Sequence, residues 1–221
     1  MTSTNVNVSG TYHPVVSCHA KVSGVWQPIL QAWSKVAGTW QLVYASLAPY
    51  TDTFNSGSGN EAVPSGATQL VITADGAGGQ GGFYSAGDGG AGGGGSRSVK
   101  TIAITSADWG TNLAYSVAAG SGTDSSVSGT LTAGSVSITA GSGMNGGTPN
   151  VGGSGGTASG GDTNTSGSAG DGVTLVGGTA ASGATGGSAG VVGNAPGGGG
   201  GGDNGSGPGT GGVGRISFAW S

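Results

Sequence analysis

Hydrophobic residues in this chain come in short alternating runs separated by blocks of glycine. The closing run, Arg215-Ile216-Ser217-Phe218-Ala219-Trp220, puts Ile216, Phe218 and Trp220 on one face, the period-two pattern of a half-buried strand. Segments 68–74, 97–105 and 112–118 read the same way, the last with Leu113, Tyr115 and Val117 together. Shorter apolar pieces at 136–139 (VSIT) and 173–176 (VTLV) continue the series, while 45–60 reads as a loop-rich joint and 61–67 as a turn. The pattern predicts an all-β chain. No apolar run approaches the roughly 18 residues of a membrane helix, and no charged segment with an apolar core follows Met1, so neither membrane insertion nor a signal peptide is expected.

The first fifty residues repeat with a period of fourteen: segments 7–15 (NVSGTYHPV), 21–29 (KVSGVWQPI) and 35–43 (KVAGTWQLV) align without gaps. Each copy reads as strand, two-residue turn at Ser-Gly or Ala-Gly, strand, with an aromatic just after the turn. One such hairpin is only marginally stable, and a repeat unit that cannot bury its own face needs neighbours. Residues 1–49 are therefore expected to attach and oligomerise the protein, most simply as a homotrimer, with Tyr12, Trp26 and Trp40 packing between units. Residues 50–221 form the second domain.

Composition changes how that second domain must be held. Of 221 residues, 55 are glycine and 7 proline, a level usually associated with disorder. The interspersed apolar runs and a charged fraction of only 6% favour an ordered domain instead. Order then requires nearly every glycine amide to be paired, because each ordered glycine costs about 0.5–1 kcal/mol relative to alanine. Two registers of three stand out: Gly78, Gly81, Gly87, Gly90 and Gly93, and Gly199, Gly202, Gly205, Gly211 and Gly214. An extended polyproline-II strand has three residues per turn, so each register places bare backbone along one edge that another chain can approach. On this reading truncation before Ile216 unfolds the domain.

The units KVSGVWQPI and KVAGTWQLV resemble the tandem Lys-Val-x-Gly-x-Trp repeats of bacteriophage tail-fibre and tail-tip proteins, over roughly residues 5–45. The first copy departs from them, with Asn7, Tyr12 and His13 in place of Lys, Trp and Gln. From VPSGATQLVITADGAGGQGG through APGGGGGGDNG to GRISFAW, the remainder is similar to the glycine-rich domain that ends phage tail proteins. Its layout resembles the fibre-tip adhesins of T-even-like phages; a related module occurs in receptor kinases of the anaplastic lymphoma kinase type. The resemblance implies β-strands with packed polyglycine-II helices and a virion protein assembled in the host cytoplasm. Its implied partners are copies of itself, other phage structural proteins and a host surface glycan or outer-membrane protein. The alternative is a capsid, neck or tail decoration protein with a structural role alone. An ice-binding protein would need threonine or alanine on one register, and the threonines are scattered.

Candidate chemistry is sparse. The net charge of −4 gives no basic footprint for nucleic acid. His13, Cys18 and His19 lack metal-ligand spacing, and His13 occupies the position of Gln27 and Gln41 in the other repeats, so it reads as a hairpin residue. The Asp-Gly pairs at Asp75, Asp88 and Asp171 do not complete a calcium-binding repeat and read as turns; no Gly-Lys-Ser/Thr is present to cradle phosphate. Neither catalysis, a cofactor nor a metal is expected. What remains is binding by the loops between glycine segments: Phe83 and Tyr84, Met144 and Asn145, Asn150, Asn164, and Asp203 and Asn204. Exposed aromatics beside small polar residues make rigid anchors; Phe83 and Tyr84 read equally well as caps on a hydrophobic core.

Overall fold

A computed structural model describes residues 5–8, 11–14, 19–23, 25–29, 31–85, 88–120, 122–205 and 207–221. Among these the fold is all-β, with sixteen strands and no helix. Three antiparallel hairpins come first: β1 (Asn5–Val8) with β2 (Thr11–Pro14), β3 (His19–Val22) with β4 (Val25–Pro28), and β5 (Gln31–Val36) with β6 (Thr39–Ala45). In the third repeat the turn falls where the sequence places it, the other two turns lying wholly or partly outside the described residues. Ala37 and Gly38 both lie in the left-handed region, at φ 48° and 85°, the geometry that matches the twist of a two-residue hairpin. Cross-strand partners repeat as well, Lys21 opposite Trp26 and Lys35 opposite Trp40.

From residue 50 the chain builds two five-stranded antiparallel sheets. One has the order β15 (Thr163–Thr165), β10 (Arg97–Ala103), β9 (Gln69–Asp75), β16 (Arg215–Trp220), β7 (Tyr50–Phe54). The other runs β14 (Ala158–Ser159), β13 (Gly134–Ala140), β12 (Ser125–Leu131), β11 (Asn112–Ser116), β8 (Ser58–Ala62). Their facing residues make one core: Leu70 and Ile72 from β9, Ile216, Phe218 and Trp220 from β16, and Leu113, Val127, Val136 and Ile138 from the second sheet. Alternation along β16 is complete, and the strand lies inside its sheet between β9 and β7. Two expectations change. The joint at 45–60 contains the edge strands β7 and β8, whose polar sequences YTDTF and SGNEA hide their alternation. The VTLV piece is no strand: Val173 is 83% exposed and only Leu175 is buried.

The glycine blocks extend from one end of these sheets. Segment 76–82 leaves β9, 89–96 returns to β10, 141–147 leaves β13, 151–157 returns to β14, and 209–214 enters β16. Segment 89–96 lies in the middle of the array. Its N–H groups donate in three directions: Gly90, Gly93 and Ser96 to Gly147, Met144 and Gly141; Ala91 and Gly94 to Asp171 and Ser168; Gly89, Gly92 and Gly95 to Asp203, Gly200 and Gly197, at 2.7–3.3 Å. Its carbonyls accept from three further segments, through Gly82, Gly79 and Gly76, through Gly153 and Gly156, and through Gly178 and Ala181. The single bare edge expected from the register is thus too modest, since all three registers meet backbone. A Cβ on Gly92, Gly93 or Gly94 would overlap the carbonyl of Gly79, Ser154 or Thr179 respectively. The six-glycine run 197–202 is enclosed in the same way, bonded to residues of 76–82, 89–95, 175–178, 187–194 and 209–213.

Where strands become glycine segments, Asp75 is 1% exposed and holds two arginines that its neighbours bring to the same level. Arg97 Nε and Nη2 donate to Asp75 Oδ1 and Oδ2 at 2.6 and 3.2 Å; Arg215 Nε and Nη2 donate to Oδ2 at 3.3 and 3.1 Å. Asp75 is therefore a strand-end anchor rather than the turn residue its Asp-Gly pair implied. At the edge formed by β7 and β8, the Glu61 side chain lies beside the Asp52 carboxylate. Burial first, and then the Asp52 charge, push Glu61 up to about 7. The Trp220 indole pulls slightly the other way, yet its buried Nε1 falls short of hydrogen-bonding geometry with any partner among the described residues.

Three substitutions and one pH dependence test this packing. Gly93→Ala is expected to cost about 3 kcal/mol or more in thermal or urea unfolding, because the added methyl meets backbone that cannot move aside. Ser154→Ala, on an exposed position, should stay within about 0.5 kcal/mol. Asp75→Ala, which strands two half-covered guanidinium groups, should cost about 3 kcal/mol. Glu61 holds its proton more tightly folded than unfolded, so its contribution to stability is full below about pH 4.5 and declines as pH rises to about 7. Urea titrations across that window should show the decline in the native protein and a smaller one in Asp52→Asn.

Candidate recognition surface

The glycine segments run alternately away from and back to the sandwich, so their outer turns gather at one end. Backbone bonds tie those turns together: Asn150 N–H to Asp88 O at 3.2 Å, Gly202 N–H to Leu175 O at 3.0 Å and Gly190 N–H to Gly202 O at 2.8 Å. This surface comprises residues 83–85 and 88, 148–151, 172–175, 189–192 and 203–205 with 207–208. It lies at the opposite end from Tyr50, which pairs with Trp220 where the chain enters the sandwich.

Asp203 fixes one of these loops from inside. It is 1% exposed, and its Oδ1 accepts from Gly205 N–H at 2.8 Å and Gly207 N–H at 2.9 Å. Both glycines lie at positive φ, 92° and 90°, where a side chain would be strained. Burial disfavours the Asp203 charge, but these two donors and the Tyr84 backbone outweigh it and hold its pKa below the usual carboxylate range. Asp171 works similarly at the neighbouring turn: donors from the Thr174 and Val173 backbones lower its pKa, with Oδ1 accepting at 2.9 and 2.6 Å. Asp108 does the same at the sandwich. Burial opposes its charge, and bonds from the backbone and hydroxyl groups of Thr132 and Thr105 prevail.

The expected contact residues therefore separate. Phe83 is 64% exposed, Tyr84 half-buried, and Asn150 and Asn204 exposed, all at the outer end. Phe83 does not cap the core. Asp203 belongs to that end but faces inward, as the internal ligand of its own loop, so its carboxylate is not a free contact group. Met144 and Asn145 sit on the flank, within segment 141–147, where Asn145 Oδ1 accepts from Gln80 N–H at 2.9 Å. Asn164 lies on β15, back at the sandwich, accepting from Ser98 Oγ at 2.8 Å and donating to Gly161 O at 2.9 Å. Its side chain is committed to tying β15 to β10.

Beside the aromatic and polar tips the outer end exposes aliphatic groups that the sequence reading does not pick out, Val151, Val173, Val191 and Val192, with Val176 adjoining them. Their signal in the sequence is short apolar pieces bounded by glycine or asparagine, Val151, Val173 to Val176 and Val191-Val192, of which the second reads as a strand until its exposure is seen. On the hairpins Trp26, Trp33 and Trp40 are 66%, 53% and 63% exposed; the Tyr12 side chain lies outside the described residues, as do Cys18, Gly87 and the His13 side chain. Among the described residues no group of three or more His, Cys, Asp or Glu could hold a metal ion, and no helix is long and apolar enough to cross a membrane.

Asp203→Ala should accelerate hydrogen exchange of the Gly205 and Gly207 amides by about tenfold or more, the loss of charge-assisted bonds. Because the Asp203 pKa is depressed, the same loosening should appear in the native protein only as pH falls below the ordinary carboxylate range. No family model matches the chain, and a search of curated proteins gives no match.

Proposed function

We propose that the chain is a structural virion protein of a tailed bacteriophage, a tail-fibre or tail-tip component that contacts the host surface as an adhesin. The carrying observation is the gathering of the non-glycine turns at the end opposite the chain's entry into the sandwich. A protein attached through residues 1–49 would present that end outward. The three-direction bonding of 89–96 is what packed polyglycine-II helices require, and supports reading residues 50–221 as a polyglycine-II sandwich on β-sheets. Such a scaffold has no side chains to spare for recognition, so contact falls to Phe83, Tyr84, Asn150, Asn204 and the valines beside them.

The hairpins supply the attachment. Each pairs only within itself among the described residues, and exposed indoles on marginal hairpins favour partners of the same kind, as in a homotrimer joined to other virion proteins. The host partner would be a surface glycan or an outer-membrane protein.

Purified protein should block phage adsorption, and Phe83→Ser/Tyr84→Ser should abolish the block while the thermal melt changes little. Antibody against the chain should label the tail tip; labelling of the shell, with no block of adsorption, would establish the decoration role instead. Sedimentation of the full chain should give a trimer, and Trp26→Ser/Trp40→Ser should convert it to monomer. A wild-type monomer would remove the oligomer from the proposal.

A further inference from the structure

A second candidate site lies on the flank of the bundle, away from the outer turns. Gly122 and Asp124, from the loop between β11 and β12, face segments 141–147 and 151–157 across an open groove of about 680 Å³. Asp124, Ser142, Met144, Asn145 and Ser154 supply its side chains and the glycines between them its floor. Two of these side chains share an unusual arrangement. Asp124 uses Oδ1 to accept from Ser142 N–H at 3.0 Å, and Asn145 uses Oδ1 to accept from Gln80 N–H at 2.9 Å. Each is thereby fixed to a backbone that cannot shift. Asp124 Oδ2 and Asn145 Nδ2 make no hydrogen bond to the protein among the described residues. One rigid acceptor and one rigid donor thus border a single groove, with the Met144 thioether, 65% exposed, between them in sequence.

We propose that this groove binds a neutral saccharide. Hydroxyls on a sugar ring both donate and accept, which matches a carboxylate oxygen and an amide N–H₂ held in place. The less polar face of the ring finds the Met144 side chain, whose flexible, polarisable thioether adapts to varied shapes. No lysine or arginine lines the groove, so phosphate or a sialic-acid-type carboxylate has no counter-charge there. A few placed polar side chains among glycine backbone and the Met144 stem give the groove a mixed lining, the kind that orients a ligand carrying both hydroxyls and C–H faces. Preorganisation matters because neither polar group must be ordered on binding. The inference deepens the adhesin reading and rests on it only for the cell-surface source of the saccharide.

The test uses full-length protein on an array of immobilised neutral and acidic oligosaccharides, followed by titration calorimetry with the best neutral binder. Asp124→Asn and Asn145→Asp each keep the Oδ1 that fixes the side chain while reversing the free group. Each should weaken binding at least about tenfold with an unchanged melting curve, and Phe83→Ser should leave it intact. Should either isosteric variant melt early, Met144→Ala, at an exposed side chain, is expected to show the same loss. Binding that survives these substitutions, binding confined to acidic glycans, or no binding at all would overturn the groove. If the protein still blocks adsorption in those cases, the adhesin reading stands without it. Saccharide binding with no effect on adsorption would leave the groove in place and remove the adhesin reading.

Discussion

Backbone approaching backbone from every side is the constraint on which this molecule depends. Segment 89–96 gives away N–H groups in three directions and receives them from three others, and its neighbours can do so only because almost nothing projects from it. Hydrogen bonds normally share the work of folding with side-chain burial; in this array they replace it. The net worth of each is about 1 kcal/mol, close to the conformational entropy a glycine gives up, so the array closes only when nearly complete. Completeness is supplied by the sandwich, whose side-chain core fixes where several segments begin.

The handover between the two modes of packing explains Asp75. A strand carrying Leu70 and Ile72 into the core must become a segment with no side chains, and the switch occurs at the residue beyond Ala74. Two arginines from the flanking strands meet one buried carboxylate at that level, so three strands are held in register as they turn into glycine. A displaced register on one strand would move every later amide off its partner. The charged cluster specifies alignment more than it adds stability, since taking such a group out of water offsets much of what pairing returns.

What could be read in advance follows from how local each signal is. The hairpin turns at Ala37-Gly38 and the alternation of β16 were legible because both are written within a few adjacent residues. Strands β7 and β8 were not, since Tyr50–Phe54 and Ser58–Ala62 are edge strands with one polar face and few apolar residues on the other. The Asp75 cluster joins residues from three strands, and no single stretch of sequence contains it. Asp203 looked like a loop tip because its neighbours are small and polar; its carboxylate turns inward to satisfy amides of glycines at positive φ, a demand visible only in the backbone. Met144 and Asn145 stand out within one stretch of sequence, whereas Asp124, which borders the same groove, comes from a different loop and carries no local sign of it.

The pairing of Tyr50 with Trp220 sets a load path. Tension delivered through the segment before residue 50 pulls along β7, whose hydrogen bonds to β16 lie across the direction of pull and resist together rather than one at a time. The glycine bundle sits beyond the other end of the sheet, so a load entering at residue 50 meets the β7–β16 pair before it reaches the glycine segments. What load passes further is shared among glycine segments that are each bonded to neighbours on several sides, so no single strand carries it alone.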